Sequence, residues 1–319
     1  MVHLLETLLP EGKFSAQRGQ GQERGDKPGP PPSAELVFER DGRAAKVRVA
    51  LTWYPVPIPD QFTQCPDSAY NPYSQCTQHT LPGGVRVVLD RSPEHEGNPS
   101  GAKLYSALVT YKDGKQVLVS QSGSTNEEGD NAEVREASYP LTLEQLSEIA
   151  ISTVWKPVLS AMPEPPSGGP RTGSVSRMTG QQISHLIEQL LPPGLQAAQA
   201  DGSAGFGHLT VDDGHGKSLV AVNVQRWKPD DATMAQLFKK ADMLPDGTLV
   251  SIRKGPALKG GKGAIQWSVD TLRKDGLRVV ISAVNARAYR LPASRSEPAL
   301  DIQQLQGIAL DTAWERASR

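Results

Sequence analysis

The sequence predicts an α+β protein built as two tandem repeats, each a mainly antiparallel sheet of five or six strands between an N-terminal and a C-terminal helix. Three observations predict it. The stretch LLETLLPEG at residues 4–12 returns as LIEQLLPPG at residues 186–194. The markers that follow each copy recur in the same order, which is how a duplication reads. Between them lie short alternating runs punctuated by Asp-Gly, Leu-Pro and Pro signals, the pattern of strands joined by tight turns.

Each repeat opens on a short amphipathic helix. Leu4, Leu5, Leu8 and Leu9 in the first, and Ile183, Leu186, Ile187, Leu190 and Leu191 in the second, recur at helical spacing and form one apolar stripe. Leu-Pro stops each helix, and Gly12 or Gly194 releases the chain. Asp41-Gly42 and Asp213-Gly214 then mark turns. Behind them Val47, Val49 and Leu51 alternate with Arg48 and Ala50, as Val220, Val222 and Val224 do with Ala221 and Asn223. These strands run out at Trp53-Tyr54-Pro55 and Trp227-Lys228-Pro229, which sets Trp53 against Trp227. Trp227 falls one residue late for the alternation, so a bulge is expected there.

Leu81-Pro82-Gly83-Gly84 and Leu244-Pro245-Asp246-Gly247 come next, followed by hairpins turning at Asp113-Gly114 and Asp275-Gly276. The closing helices start with capping boxes, Thr142 with Gln145 and Asp301 with Gln304, and end near Trp155 and Trp314. The offset between copies falls from 182 at Leu4 and Leu186 to 159 at Trp155 and Trp314. Insertions confined to loops produce such a drift. The expected domains are 1–160 and 178–319, joined by a Pro-, Gly- and Ser-rich linker at 161–177. Residues 19–33, GQGQERGDKPGPPPS, read as an unstructured insertion. Short turns favour antiparallel pairing, because parallel strands need long crossovers.

At 319 residues, each half is long enough to bury its own core. A net charge of −1 argues against a nucleic-acid surface. No apolar run approaches a membrane span.

The two cysteines, Cys65 and Cys76, lie in CPDSAYNPYSQC, an insertion with no counterpart in the second half. A polar loop holding both reads as a disulfide staple, worth roughly 2.5–3 kcal/mol in the chain-entropy model. It implies an oxidising compartment; two free thiols in a cytosolic protein are the alternative. A zinc site here is not expected, since Pro66, Asp67 and His79 make a poor ligand set. Met1-Val2-His3 lacks a basic or apolar leader, so an export signal or membrane anchor is expected to lie outside this sequence.

No catalytic constellation emerges. His3, His79, His95, His185, His208 and His215 are scattered over non-equivalent positions and read as surface or loop histidines. Asp212-Asp213 and Glu127-Glu128 read as turn residues. Residues 255–263, GPALKGGKG, depart from a phosphate loop because Gly261 stands where Lys belongs, and they read as a basic hairpin loop. An acidic loop, NEEGDN, lies at 126–131. The recurring tryptophans read as core. The cysteine loop is the specialised segment, and its aromatics Phe62, Tyr70 and Tyr73 are the candidate binding residues. Covering an open sheet edge is the competing role.

Taken together, the LLP-x-G helix end, the Cys-Pro-Asp loop with its closing Cys, and short helices ending in Trp-Lys-Pro or Trp-Glu-Arg resemble a type found in high-GC actinobacteria, streptomycetes in particular. These are uncharacterised exported lipoproteins or single-span membrane proteins with a duplicated extracytoplasmic α+β unit. The resemblance implies a protein held outside the cell membrane, and it carries no catalytic residue over. The expected function is a non-catalytic binding or sensing module of the cell envelope, without cofactor or metal. Its partner would be an envelope protein or a small ligand, with no nucleic acid and with membrane contact only through an anchor. A cell-envelope hydrolase, with a site assembled between the halves, is the alternative.

Overall fold

The computed structural model describes residues 1–21, 29–95, 98–123, 139–165, 178–258 and 260–318. The chain divides into two units, Met1–Pro66 with Tyr73–Gly169, and Asp67–Pro72 with Pro170–Arg319. The tip of the cysteine loop, assigned to the first repeat by sequence, therefore belongs with the second unit.

In the first unit, helix α1 (Val2–Glu6) leads into strands β1 (Lys13–Gln20), β2 (Ser33–Arg40) and β3 (Arg43–Trp53). Strands β4 (Gln75–Leu81), β5 (Val85–Pro93), β6 (Lys103–Thr110) and β7 (Lys115–Ser122) follow, then helices α2 (Leu143–Ile151) and α3 (Lys156–Ala161). The strands form one sheet in the order β1-β2-β3-β7-β6-β5-β4, with every pairing antiparallel. The apolar residues of β3 alternate as the sequence predicts, those of β2 alternate too, and Leu36, Phe38, Val47, Val49 and Leu51 share a core with Leu5, Leu146 and Trp155.

The second unit has helix α4 (Gly180–Leu190), then strands β8 (Gln196–Ser203), β9 (Phe206–Asp212) and β10 (Ser218–Arg226). Helix α5 (Ala232–Leu237) precedes β11 (Asp242–Met243), β12 (Leu249–Pro256), β13 (Ile265–Leu272) and β14 (Leu277–Val284), and α6 (Ile302–Leu310) and α7 (Ala313–Ala317) close the chain. The sheet order is β11-β12-β13-β14-β10-β9-β8. With β8–β14 taken as counterparts of β1–β7, the two orders are the same.

Details repeat as well. A register shift breaks β1 between Ser15 and Arg18 and β8 between Ala198 and Asp201, with Ala16 and Gln199 both at positive φ. The predicted capping boxes form at Thr142 and Asp301. Trp155 Nε1 donates to Ile149 O and Trp314 Nε1 to Ile308 O, each at 2.7 Å, so each indole satisfies its one donor inside the core.

Four expectations need correction. Each sheet has seven strands rather than five or six. The polar edge strands β1 and β8 escape notice because, exposed along most of their length, they carry no apolar alternation. Residues 19–20 belong to β1 and Ser33 opens β2, whereas 22–28 lie outside the described residues, as do 166–177 of the expected linker. Finally, Trp227 is matched by Tyr54, not Trp53. Leu51 opposes Val117 and Val224 opposes Val279 in the same register, and Tyr54 N and Trp227 N donate to Gly114 O and Gly276 O. Strand β10 pairs without a break to Arg226, so no bulge exists there; Trp227 simply follows the strand end.

One difference between the units bears on function. Strand β2 alternates buried and half-buried positions, but β9 is buried at every position except its last. Leu209 and Val211 face the main core. Phe206, His208 and Thr210 face the other side of the sheet, where Leu219, Val284, Ala286, Ala288, Tyr289 and Leu291 form a further cluster with Ala69.

Candidate functional site

The cysteine loop begins with a single turn at Asp60–Phe62. Cys65 and Cys76 are bonded, with Cα atoms 5.7 Å apart, as the loop composition predicts. Phe62 stacks on Tyr54 at 5.3 Å, and Gln116 Nε2 donates to Phe62 O and to Thr110 Oγ1. Arg86 Nη1 donates to Thr63 Oγ1 at 3.0 Å, and Gln78 Oε1 accepts from Cys65 N at 3.0 Å. Within the first unit, Thr63 and Gln64 of the loop, Gln78, His79 and Thr80 of β4, and Arg86 of β5 line an open depression of about 250 Å³. Its walls are polar, and Arg86 supplies a positive charge.

The next segment, Asp67–Pro72, is counted with the second unit. Asp67 Oδ1 accepts from Ala69 N at 2.8 Å, an Asx-type turn. Ala69 O accepts from Tyr289 N at 2.8 Å. Tyr70 stacks on Tyr289 at 4.8 Å and leans on Phe206 at 5.6 Å. Burial pushes the Tyr70 phenol far above its ordinary pKa, with Tyr289 and the Asp67 carboxylate adding to the effect.

The three candidate aromatics are therefore not equivalent. Tyr70 spends its ring on Tyr289 and Phe206. Phe62 and Tyr73 are 38% and 37% exposed, and both are counted with the first unit.

His208 departs from the surface reading given to all six histidines: it is 2% exposed, while the other five are exposed. Its Nε2 stands 3.0 Å from Asp67 Oδ1. Asp201 lies directly opposite His208 across the β8–β9 ladder, and ligand atoms of Asp67, Asp201 and His208 all fall within 4.8 Å of one another. Ser184 Oγ on α4 contacts both Asp201 O and His208 O, at 2.8 and 3.1 Å, which fixes the two strands beneath the cluster. The helix can come this close because Gly207 has no side chain: a Cβ there would stand 2.7 Å from Ile183.

Sequence reasoning missed His208 and Asp201. One signal was present, since Leu209 and Val211 face the main core and so send His208 to the opposite side. Nothing local announced that Asp67 would meet it there. The turn residue Asp213 is held by Arg295 through two bonds of 2.7 and 3.0 Å, a structural role. Residues 257–258 and 260–264 lie in the connection of the β12–β13 hairpin, as expected for the basic loop. The acidic loop at 126–131 lies outside the described residues.

No protein-family model matches the sequence, and no curated protein does. Among solved structures, the chain shows a weak similarity to the di-domain aromatase/cyclase StfQ from the steffimycin biosynthetic pathway. Identity is 10%, the match covers 86% of this chain and 74% of that one, and the TM-score is 0.15. What the coordinates define is a two-unit α+β protein with two seven-stranded antiparallel sheets of the same strand order.

Proposed function

We propose that this protein is a non-catalytic binding or sensing module of the bacterial cell envelope, held outside the membrane, and that its contact surface is the stapled loop of the first unit. The observation that carries the reading is the polar depression walled by Thr63, Gln64, Gln78, His79, Thr80 and Arg86. Two of its six lining residues, Thr63 and Gln64, sit on the stapled loop. A disulfide fixes the loop's base, so little conformational entropy remains to be lost when a ligand binds. Arg86 and the surrounding amide and hydroxyl groups suit a small anionic or hydroxyl-rich ligand, such as an envelope-polymer fragment. The exposed rings of Phe62 and Tyr73 add apolar contact area on the same loop.

The disulfide supports an oxidising compartment. Among the described residues, no helix is long and apolar enough to cross a membrane. The resemblance to actinobacterial exported lipoproteins supports an anchor outside this sequence.

The test is calorimetric titration of anionic cell-wall fragments into the wild type and Arg86→Gln. Arg86 is exposed, so the variant should keep its fold. Saturable binding that Arg86→Gln weakens at least about tenfold, a loss of roughly 1.4 kcal/mol, is expected. Turnover of a fragment, or binding indifferent to Arg86, would sink the reading.

A further inference from the structure

We propose that Asp67, Asp201 and His208 form a binding site for a borderline divalent metal ion, with zinc as the reference ion, that pins Asp67–Pro72 to strands β8 and β9. The inference stands apart from the ligand surface on the first unit, and either can fail alone.

Three observations carry it. His208 is 2% exposed, and among the described residues neither of its ring nitrogens has a hydrogen-bond partner. A buried imidazole left so is costly, because its polar atoms have given up water for nothing. The second is the geometry toward Asp67. Nε2 lies 3.0 Å from Oδ1, close enough for an ion pair yet off the line a hydrogen bond requires. Two atoms that share one zinc at about 2.1 Å each stand about 3.0–3.4 Å apart, with their lone pairs converging on the ion rather than on one another. The contact has that spacing. The third is the Asp201 carboxylate, which completes a group whose ligand atoms lie within 4.8 Å of one another. Its Oδ1 accepts from Gly202 N at 2.7 Å, and the side chain is exposed, so it can turn inward to the closer spacing that a shared ion requires.

The counterpart positions in the first unit sharpen the point. There the residues facing each other across β1 and β2 are Arg18 and Glu35, an ordinary cross-strand charge pair. In the second unit both positions have changed to ligand types, Asp201 and His208. The third ligand comes from the loop that the first repeat alone carries.

One imidazole and two carboxylates suit zinc, manganese or cobalt. Calcium and magnesium prefer all-oxygen sets. Three protein ligands leave a coordination position for water. The ion would give His208 Nε2 the partner it lacks and hold the turn that Asp67 begins.

The experiment uses tag-free, chelator-stripped full chain, titrated with zinc chloride by calorimetry. A single zinc ion should bind with micromolar affinity or better. Asp67→Asn and His208→Gln should each weaken it at least about tenfold, the scale already seen for loss of a mere outer-shell partner, while His79→Gln and His215→Gln should not. Absence of wild-type binding at micromolar zinc, or binding that survives both Asp67→Asn and His208→Gln, overturns the proposal. Should a variant lose its circular-dichroism signature, wild type with cobalt(II) decides. Visible bands of a protein-bound ion, with the His208 imidazole resonances shifted, support the site, and an aqueous cobalt spectrum overturns it.

Discussion

Replacing Tyr70 by alanine removes a ring that packs on two others in the second unit, Tyr289 at 4.8 Å and Phe206 at 5.6 Å. Each aromatic pair is worth about 0.5–1.5 kcal/mol beyond the area it buries. A half-buried ring adds about 1 kcal/mol of transfer energy, part of the roughly 1.5–3 kcal/mol of a fully buried one. The expected loss is about 2–4 kcal/mol. For a unit of roughly 150 residues, about 2–4 °C per kcal/mol converts this to a fall of about 4–16 °C in Tm. Tyr73 is 37% exposed, and its replacement by alanine should cost within about 0.5 kcal/mol. Tyr70→Phe keeps both ring contacts and loses the hydroxyl's hydrogen bond to Tyr289, so it should cost about 1 kcal/mol, less than the alanine variant. Differential scanning calorimetry on the three variants measures all of this. If Tyr70→Ala melts within a degree of wild type, or if Tyr73→Ala falls as far, the division of this loop into a packed aromatic and a free one is wrong.

Two further outcomes follow from the same coordinates. Gly276 and Gly214 both have positive φ, but a Cβ at 276 would stand 1.9 Å from Trp227 O, whereas one at 214 meets nothing within 4 Å. Chemical denaturation should therefore show Gly214→Ala costing about 1 kcal/mol and Gly276→Ala upwards of about 4 kcal/mol; equal losses would mean that conformation, not the clash, governs both. The paired bonds from Arg295 hold the Asp213 carboxyl at about 2, against an opposing desolvation effect. A depressed folded-state value stabilises above the ordinary carboxylate range and ceases to do so as pH falls through the folded value. The stability gap between wild type and Asp213→Asn should thus be constant from pH 7 to about 4 and close between about 4 and 2. A gap that persists at pH 2, or widens, would show that the Asp213–Arg295 pair is not its source.

Much of the architecture was legible along the chain. Repeated punctuation, from Gly12 and Gly194 through Asp113-Gly114 and Asp275-Gly276 to Trp155 and Trp314, recorded the duplication because turns and caps are written in local residue chemistry. Paired cysteines in one polar loop recorded the staple for the same reason. The Trp53 and Trp227 match failed by one residue, since identity of side chain is a weaker guide than strand register, and register is set by the partner strand at Gly114 and Gly276. Edge strands β1 and β8 were hidden because a strand exposed on both faces needs no apolar period.

The candidate sites lay beyond sequence reach for a different reason. Arg86 reads as one more surface arginine until β4 and β5 bring it under Thr63. His208 reads as a lone histidine until the bulged ladder sets Asp201 opposite it. Asp67 joins them only because its turn is packed through Tyr70 and Ala69 into the second unit's further cluster. Local chemistry determined the two sheets and the staple. Which residues meet across them was decided by packing, because burial energy acts on surfaces that exist only once the chain has closed.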